Sequence, residues 1–245
     1  MGLGSSFGIA AETGNNIVTD GLIFYIDAAY KKSYPGDGST WTDIINNSVG
    51  TITNATFNSN GYFEFDGDGD IIDFAPNSNL RLGTGNWTVS CWARQDVTGL
   101  DSFYRRVWMM DGPIGNNVNN PQLAIVPGDY GTEGVPNAWS GNGLDIADGS
   151  VTMLNTWRNN VVVRNGSTVT LYTDGSVNGT PDTSIGSMNL NNLNNPGGPR
   201  VRLGSYSNIN GNLGGQISSI QMYNRALTVG DILQNFNAQK ERFGL

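Results

Sequence analysis

Residues 87–94 read WTVSCWAR, and in that run Trp87, Val89, Cys91 and Ala93 alternate with Thr88, Ser90, Trp92 and Arg94. A period of two is the mark of a β-strand that turns one face to a core. The same pattern continues outward from it. Residues 62–65 (YFEF) set Phe63 and Phe65 against Tyr62 and Glu64, residues 21–27 (GLIFYID) form a nearly continuous apolar run, and residues 216–223 place Ile220 and Met222 on one face. Residues 161–163 and 168–173 flank Asn165-Gly166, a pair suited to the positive φ angles of a tight hairpin turn, and Asp174-Gly175 announces the next turn. From 21 to 223 the chain reads as short strands cut by Gly, Asn, Asp and Pro turns, which predicts an all-β sandwich of antiparallel sheets. Between 111 and 155 the pattern loosens around Pro113, Pro121, Pro127 and Pro136, so long loops are expected there. Residues 189–195 read as a polar loop.

The 245 residues suit one large β domain. The absence of His excludes a Ser-His-Asp triad, a Cys-His pair and His-ligated zinc. With 13 Lys and Arg against 21 Asp and Glu, a formal net charge of -8 and no basic run, nucleic acid is not an expected partner. The single Cys forms no internal disulfide, and Cys91 reads as a small buried apolar side chain. No stretch has the apolar length of a membrane span, and residues 1–11 lack the features of a signal peptide, so a membrane is not expected either. Residues 1–16 are expected to be a flexible arm that orders on docking. Gly2 and Ser6 formally fit a myristoylation pattern, for which the arm of small residues is the preferred reading. The domain proper is expected at 17–245. Its one helix is expected at 229–243, with Thr228 as N-cap, Asp231 at the helix start, Ile232, Leu233 and Phe236 as an apolar stripe and Gly244 as the stop.

Three segments in order carry a family resemblance. The first is GLIFYIDAAYKKSYPGDGSTWTDI at 21–44, through Tyr34, Pro35, Gly36, Trp41, Thr42 and Asp43. The second is YFEFDGDGDIIDF at 62–74 with the following NWTVSCW at 86–92, and the third is GGQISSIQMYNRALTVGDILQNFNAQKERF at 214–243. Together they resemble the laminin G-like domain of the concanavalin A-like lectin/glucanase superfamily, of the type found in bacteriophage and marine viral structural proteins. The resemblance implies a jelly-roll sandwich of two antiparallel sheets with adjacent first and last strands, and a role in binding.

Three chemistries are open to these residues. A glycoside hydrolase of this fold carries an E-x-D-x-E strand, which Glu64, Asp66 and Asp68 approach. The third position is one methylene short, and Gly67 and Gly69 point to a hairpin tip, so a structural reading is preferred. Asp66, Asp68 and Asp70 are candidate calcium ligands, hard oxygens at alternate positions. Ile71 and Asn77 break the EF-hand pattern, and solvated turn carboxylates are preferred. The resemblance implies a carboxylate near the start of the closing strand for a structural calcium, where Ser218 and Ser219 stand instead. No cofactor is required on this reading. For a glycan, Tyr130 and Trp139 with Asp129, Asn137 and Asn142 offer rings and hydrogen-bonding groups, with loop packing of Trp139 as the equal alternative. Trp41 and Trp92 read as core, and Phe103, Tyr104, Trp108 and Met109 as an aromatic strand.

The expected protein is a non-catalytic module on a virion surface, a phage capsid decoration, head fibre or tail-associated protein made in the host cytoplasm. Its arm would dock on capsid or tail proteins, as single copies or homo-oligomers, while the sandwich contacts a host-surface glycan. A polysaccharide-active hydrolase of the same fold and a secreted cellular carbohydrate-binding or adhesion module are the alternatives.

Overall fold

The computed structural model describes residues 16–96, 105–111, 123–127, 134–140, 144–183, 189–190, 197–205 and 211–245. The expected docking arm at 1–16 therefore lies outside the described residues except for Asn16. In chain order the strands are β1 (Leu22–Asp27), β2 (Thr40–Thr42), β3 (Val49–Thr53), β4 (Thr56–Asn58), β5 (Tyr62–Asp66), β6 (Ile71–Phe74), β7 (Trp87–Gln95) and β8 (Trp108–Asp111). They continue as β9 (Leu123–Pro127), β10 (Pro136–Ser140), β11 (Leu144–Asp148), β12 (Arg158–Asn165), β13 (Thr168–Thr173), β14 (Ser176–Val177), β15 (Arg200–Leu203) and β16 (Gly214–Tyr223). Helix α1 (Val229–Gln239) and a 3-10 turn (Lys240–Phe243) close the chain.

Two eight-stranded sheets form the sandwich. One, here the closing sheet, runs β14-β13-β12-β7-β16-β5-β4, with β1 also paired to β16; the other, the opposite sheet, runs β11-β10-β9-β8-β15-β6-β3-β2. First and last strands are thus neighbours. The core between the sheets takes Trp87, Val89, Cys91 and Ala93 from β7, Phe63 and Phe65 from β5, and Ile217, Ile220 and Met222 from β16. Burial pushes the Cys91 thiol up to about 12, which makes it inert in the folded chain. Trp41 packs at 4.8 Å from Phe63, and Asp43 of the same TWTD turn accepts the backbone N–H groups of Tyr25, Ile45 and Asn46. Burial raises the Asp43 pKa despite those three donors.

β16 changes partner midway. Its first half pairs with β5 through Ile217↔Phe63 and its second with β1 from Ser219↔Asp27, and a bulge falls between Ile217 and Ser219. The displaced Ser218 lends its carbonyl to the Ala28 N–H and donates its hydroxyl to the Gly61 carbonyl at 2.6 Å. Arg242 ties the last turn to this junction, reaching Asp27 Oδ1 at 2.8 Å and Ser218 Oγ at 2.7 Å.

Three expectations are corrected. The β12–β13 turn consists of Gly166 and Ser167, one residue later than Asn165-Gly166, because Asn165 still pairs with Thr168. Gly166 alone has the positive φ, 62°, which fits a turn with Gly at its first central position. The segment 111–155 holds β9, β10 and β11, and Pro127 and Pro136 face each other at strand ends, where a missing N–H costs no interior ladder bond. The buried side of α1 is Ile232, Asn235, Ala238 and Gln239, while Leu233 is exposed and Phe236 half-buried. The helix covers a mixed surface: Ile232 packs with Val161, Val163 and Leu227, while Asn235 and Gln239 meet the polar groups of Tyr223 and Trp92. Its start is as expected: Thr228 and Asp231 form a capping box.

Candidate functional site

The β5–β6 hairpin gathers the acidic residues picked out by their spacing. Gly67 and Gly69 turn the chain with φ of 94° and 74°, so Asp68 leaves the strand and the carboxylates do not run along one face. The Asp68 N–H donates to Asp66 Oδ1 at 2.8 Å, and the Asp66 N–H donates to Asp70 Oδ2 at 2.7 Å. Asp70 is only 4% exposed; burial raises its pKa, the charges of Asp66 and Asp68 add to the rise, and the Asp66 N–H opposes it. Glu64 accepts from Asn58 Nδ2 at 3.0 Å. Among the described residues no three His, Cys, Asp or Glu are grouped so as to hold a metal ion. At the start of the closing strand, where the resemblance implies a carboxylate, Ser218 binds the Arg242 guanidinium.

Two polar depressions adjoin this hairpin and share Asn54 at their boundary. The first, about 340 Å³, is an acidic groove on the outer face of the closing sheet, lined by Glu64, Asp66, Asp70, Asp96, Thr56 and Gln216 among others. Sheet register builds its floor. Arg94 of β7 pairs with Gln216 of β16, Gln216 with Glu64 of β5, and Glu64 with Thr56 of β4, so these four side chains form one row across four strands. Arg94 Nε lies 2.5 Å from Asp96 Oδ1. Trp157 precedes β12, level with Arg94, and its ring centroid is 5.4 Å from that of Tyr62 and 4.8 Å from that of Phe243. The second depression, about 530 Å³, lies on the outer face of the opposite sheet between β3, β6 and β15. There Arg200 holds Asp73 with two hydrogen bonds of 2.6 and 2.5 Å, a bidentate fork, above Thr51 and Thr53.

The glycan residues expected from the middle of the chain are not brought together among the described residues. Tyr130, Asp129 and Asn142 lie outside them. Trp139 falls on β10 opposite Ala124, its side chain outside the description. Asn137 is buried at 6% exposure and accepts the Gly149 N–H at 3.2 Å, a structural duty. Tyr62, Arg94 and Gln216 belong to no motif spacing that marks them as site residues, although each sits on the outward phase of an alternating strand. That phase was the available signal.

Comparison with known proteins agrees with this architecture. A laminin G-like family model, described as the concanavalin A-like lectin/glucanases superfamily, matches residues 65–233. No curated protein sequence matches. Among solved structures, Trypanosoma rangeli sialidase in complex with a difluorinated ketodeoxynononic acid superposes with a TM-score of 0.66 at 14% identity, over 92% of this chain and 34% of that one. The binding domain of Paraclostridial Mosquitocidal Protein 1 gives 0.59 at 16% identity over 89% of this chain and 52% of that one. The receptor-binding domain of the botulinum neurotoxin C/D mosaic serotype gives 0.56 at 14% identity, over 91% and 52%. The chain spans about a third of the length of the sialidase it matches, and these likenesses concern the fold. With more than half of its length inside the family model, the chain belongs to the laminin G-like domains of the concanavalin A-like lectin/glucanase superfamily.

Proposed function

We propose that this chain is a non-catalytic, lectin-like recognition module that contacts glycans on a host surface, carried on a virus particle as a capsid decoration, head fibre or tail-associated protein. Residues 1–16 attach it to capsid or tail proteins in this reading. The observation that carries the binding role is the acidic groove. The carboxylates that line it are acceptors around a shallow polar depression, the chemistry that sugar hydroxyls need. Catalysis is disfavoured by the use to which the same carboxylates are put. Asp70 is buried and holds the Asp66 N–H, and Asp66 holds that of Asp68. A retaining hydrolase needs two carboxyls about 5–5.5 Å apart that both reach the substrate. The virion setting rests on the resemblance of the 21–44, 62–74 and 214–243 segments to viral structural proteins.

Two measurements test the proposal. Mass spectrometry of purified virions is expected to find the protein as a particle component, and its absence there would end the virion assignment. A glycan array is expected to give binding without cleavage of the retained glycans. Hydrolysis that disappears in Glu64→Gln would move the protein to the enzymes of this fold.

A further inference from the structure

Beyond the residues that line the groove, two rings lie on the same face of the sheet. Tyr62 precedes Glu64 by two residues on β5 and shares its outward face, and its ring meets that of Trp157 across β16 and β7 at 5.4 Å with an interplanar angle of 57°. Both rings are half-buried, and Trp157 packs on Phe243, which stacks on the buried Trp92 at 4.1 Å. A fixed pair of partly exposed rings at the edge of an acceptor-lined groove is an amphipathic surface, and so is a pyranose: one face of C–H groups, an equator of hydroxyls. Gln216, on the floor between them, has a buried Oε1 that accepts no hydrogen bond from the described residues. Its carboxamide thus has an unused acceptor that a turn of the side chain would bring to the groove surface for a donor on a ligand.

The charge around the groove narrows the choice. Four carboxylates line it, those of Glu64, Asp66, Asp70 and Asp96. The adjacent cation, Arg94, is already paired with Asp96. Among the described residues, a sugar acid brought here meets like charge on several sides, and the neighbouring Arg94 is already engaged.

We propose that this groove is a subsite for an uncharged pyranose residue, stacked on Tyr62 and Trp157 and hydrogen-bonded by Glu64, Gln216 and Asp96, and that it discriminates against acidic sugars. The proposal rests on the glycan-binding reading above and adds the place and the class of sugar. The carboxylates accept from the hydroxyls, which carry no charge to be repelled. The rings exclude water from the C–H face.

The test is a titration of the full chain, by array and then by calorimetry, with neutral oligosaccharides of glucose, galactose and N-acetylglucosamine and with matched sialylated ones. Neutral probes are expected to bind at least about tenfold more tightly than sialylated ones, a ratio typical of one added or removed charge contact. Trp157→Ala and Gln216→Ala are each expected to weaken neutral binding about tenfold or more, and Trp157→Phe to restore most of it, since a ring remains. Should Trp157→Ala fail to fold, Tyr62→Ala and Gln216→Ala carry the same readout. Glycan binding that ignores all of these substitutions would overturn the site while leaving the recognition role intact. Preference for the sialylated probes would overturn the assignment of sugar class, and binding to no glycan at all would overturn the recognition role itself.

Discussion

The outer face of the closing sheet has two halves built from the same strands, and they are treated in opposite ways. Toward the C-terminal end of β16, the polar side chains of β7 and β16 are buried under α1 and the following turn, and each has a partner. Thr88 donates to the Arg225 carbonyl and accepts the Leu227 N–H, Ser90 accepts from Asn159, and Trp92 Nε1 donates to Gln239 at 3.0 Å. Asn235 reaches from the helix to Tyr223 at 3.0 Å, and its carbonyl takes the Val18 N–H at 2.8 Å. Past the last turn the same strands carry Arg94 and Gln216, joined by Glu64 of β5, and these three side chains are half-buried beside the groove. Along β7 and β16 this face is largely polar from end to end, while Val161 and Val163 of β12 turn apolar side chains to Ile232 of the helix. Where α1 lies, most buried polar groups are matched from the helix or the neighbouring chain, Asn159 Oδ1 being an exception, since leaving one unmatched costs about 1–3 kcal/mol. Where the helix stops, the row is left for water or a ligand.

The contrast predicts where substitutions hurt stability and where they hurt binding. The largest effect is expected from Trp92→Ala in the covered half, which removes the stack on Phe243 and strands Gln239. A loss of about 3–5 kcal/mol in urea unfolding is expected, and a loss below about 1 kcal/mol would mean that the helix does not seal the sheet. In the open half, Gln216→Ala is expected to change stability by less than about 1 kcal/mol in the same experiment, because the unmatched acceptor leaves with it. A drop as large as that of Trp92→Ala would erase the distinction between the halves.

A smaller effect concerns Asp70, at the end of the groove. Burial raises its folded pKa above the unfolded value, so in the interval between the two the folded state holds more protons and stability falls as pH rises through it. Above that interval the cost is present in full. Asp70→Asn keeps an oxygen for the Asp66 N–H and removes the charge, so a slight gain in neutral-pH stability and a flatter acid-range profile are expected from denaturation at several pH values. A variant that loses stability at neutral pH, or keeps the wild-type slope, would show that the Asp70 charge is matched. The smallest change is expected from calcium. With Asp66 and Asp70 tied to backbone N–H groups and Arg242 standing at Ser218, melting in calcium and in EDTA is expected to agree within about 1 °C. A clear stabilisation by calcium would make the hairpin a metal site.

Much of the sandwich was legible because alternation is enforced by burial. Each inward residue of β7, β5 and β16 must fill the core, so Trp87, Val89, Phe63 and Ile220 announce themselves. Legibility failed where another constraint replaced burial. Pro127 and Pro136 looked like loop breakers, yet a strand end tolerates them. The hairpin at Gly166 slid by one residue because two turn types can use the same Asn-Gly pair, and only strand register selects between them. α1 concealed its inner side because Asn235 and Gln239 face a polar sheet, where an apolar stripe would leave Tyr223 and Trp92 without partners. The groove was harder still. Glu64, Gln216, Arg94 and Trp157 are distant in sequence and become a surface only through the pairing of β12, β7, β16 and β5. The residues of 129–142, by contrast, resemble a binding loop by composition alone and need no strand pairing to be noticed.

The most direct test of the open half as the binding surface is a crystal structure of the protein with a neutral oligosaccharide selected from the array. One pyranose is expected against Tyr62 and Trp157, with its hydroxyls on Glu64, Gln216 or Asp96. A sugar seated at Arg200 and Asp73 on the opposite sheet, or bound with the Tyr62 and Trp157 rings untouched, would contradict the division drawn between the two halves.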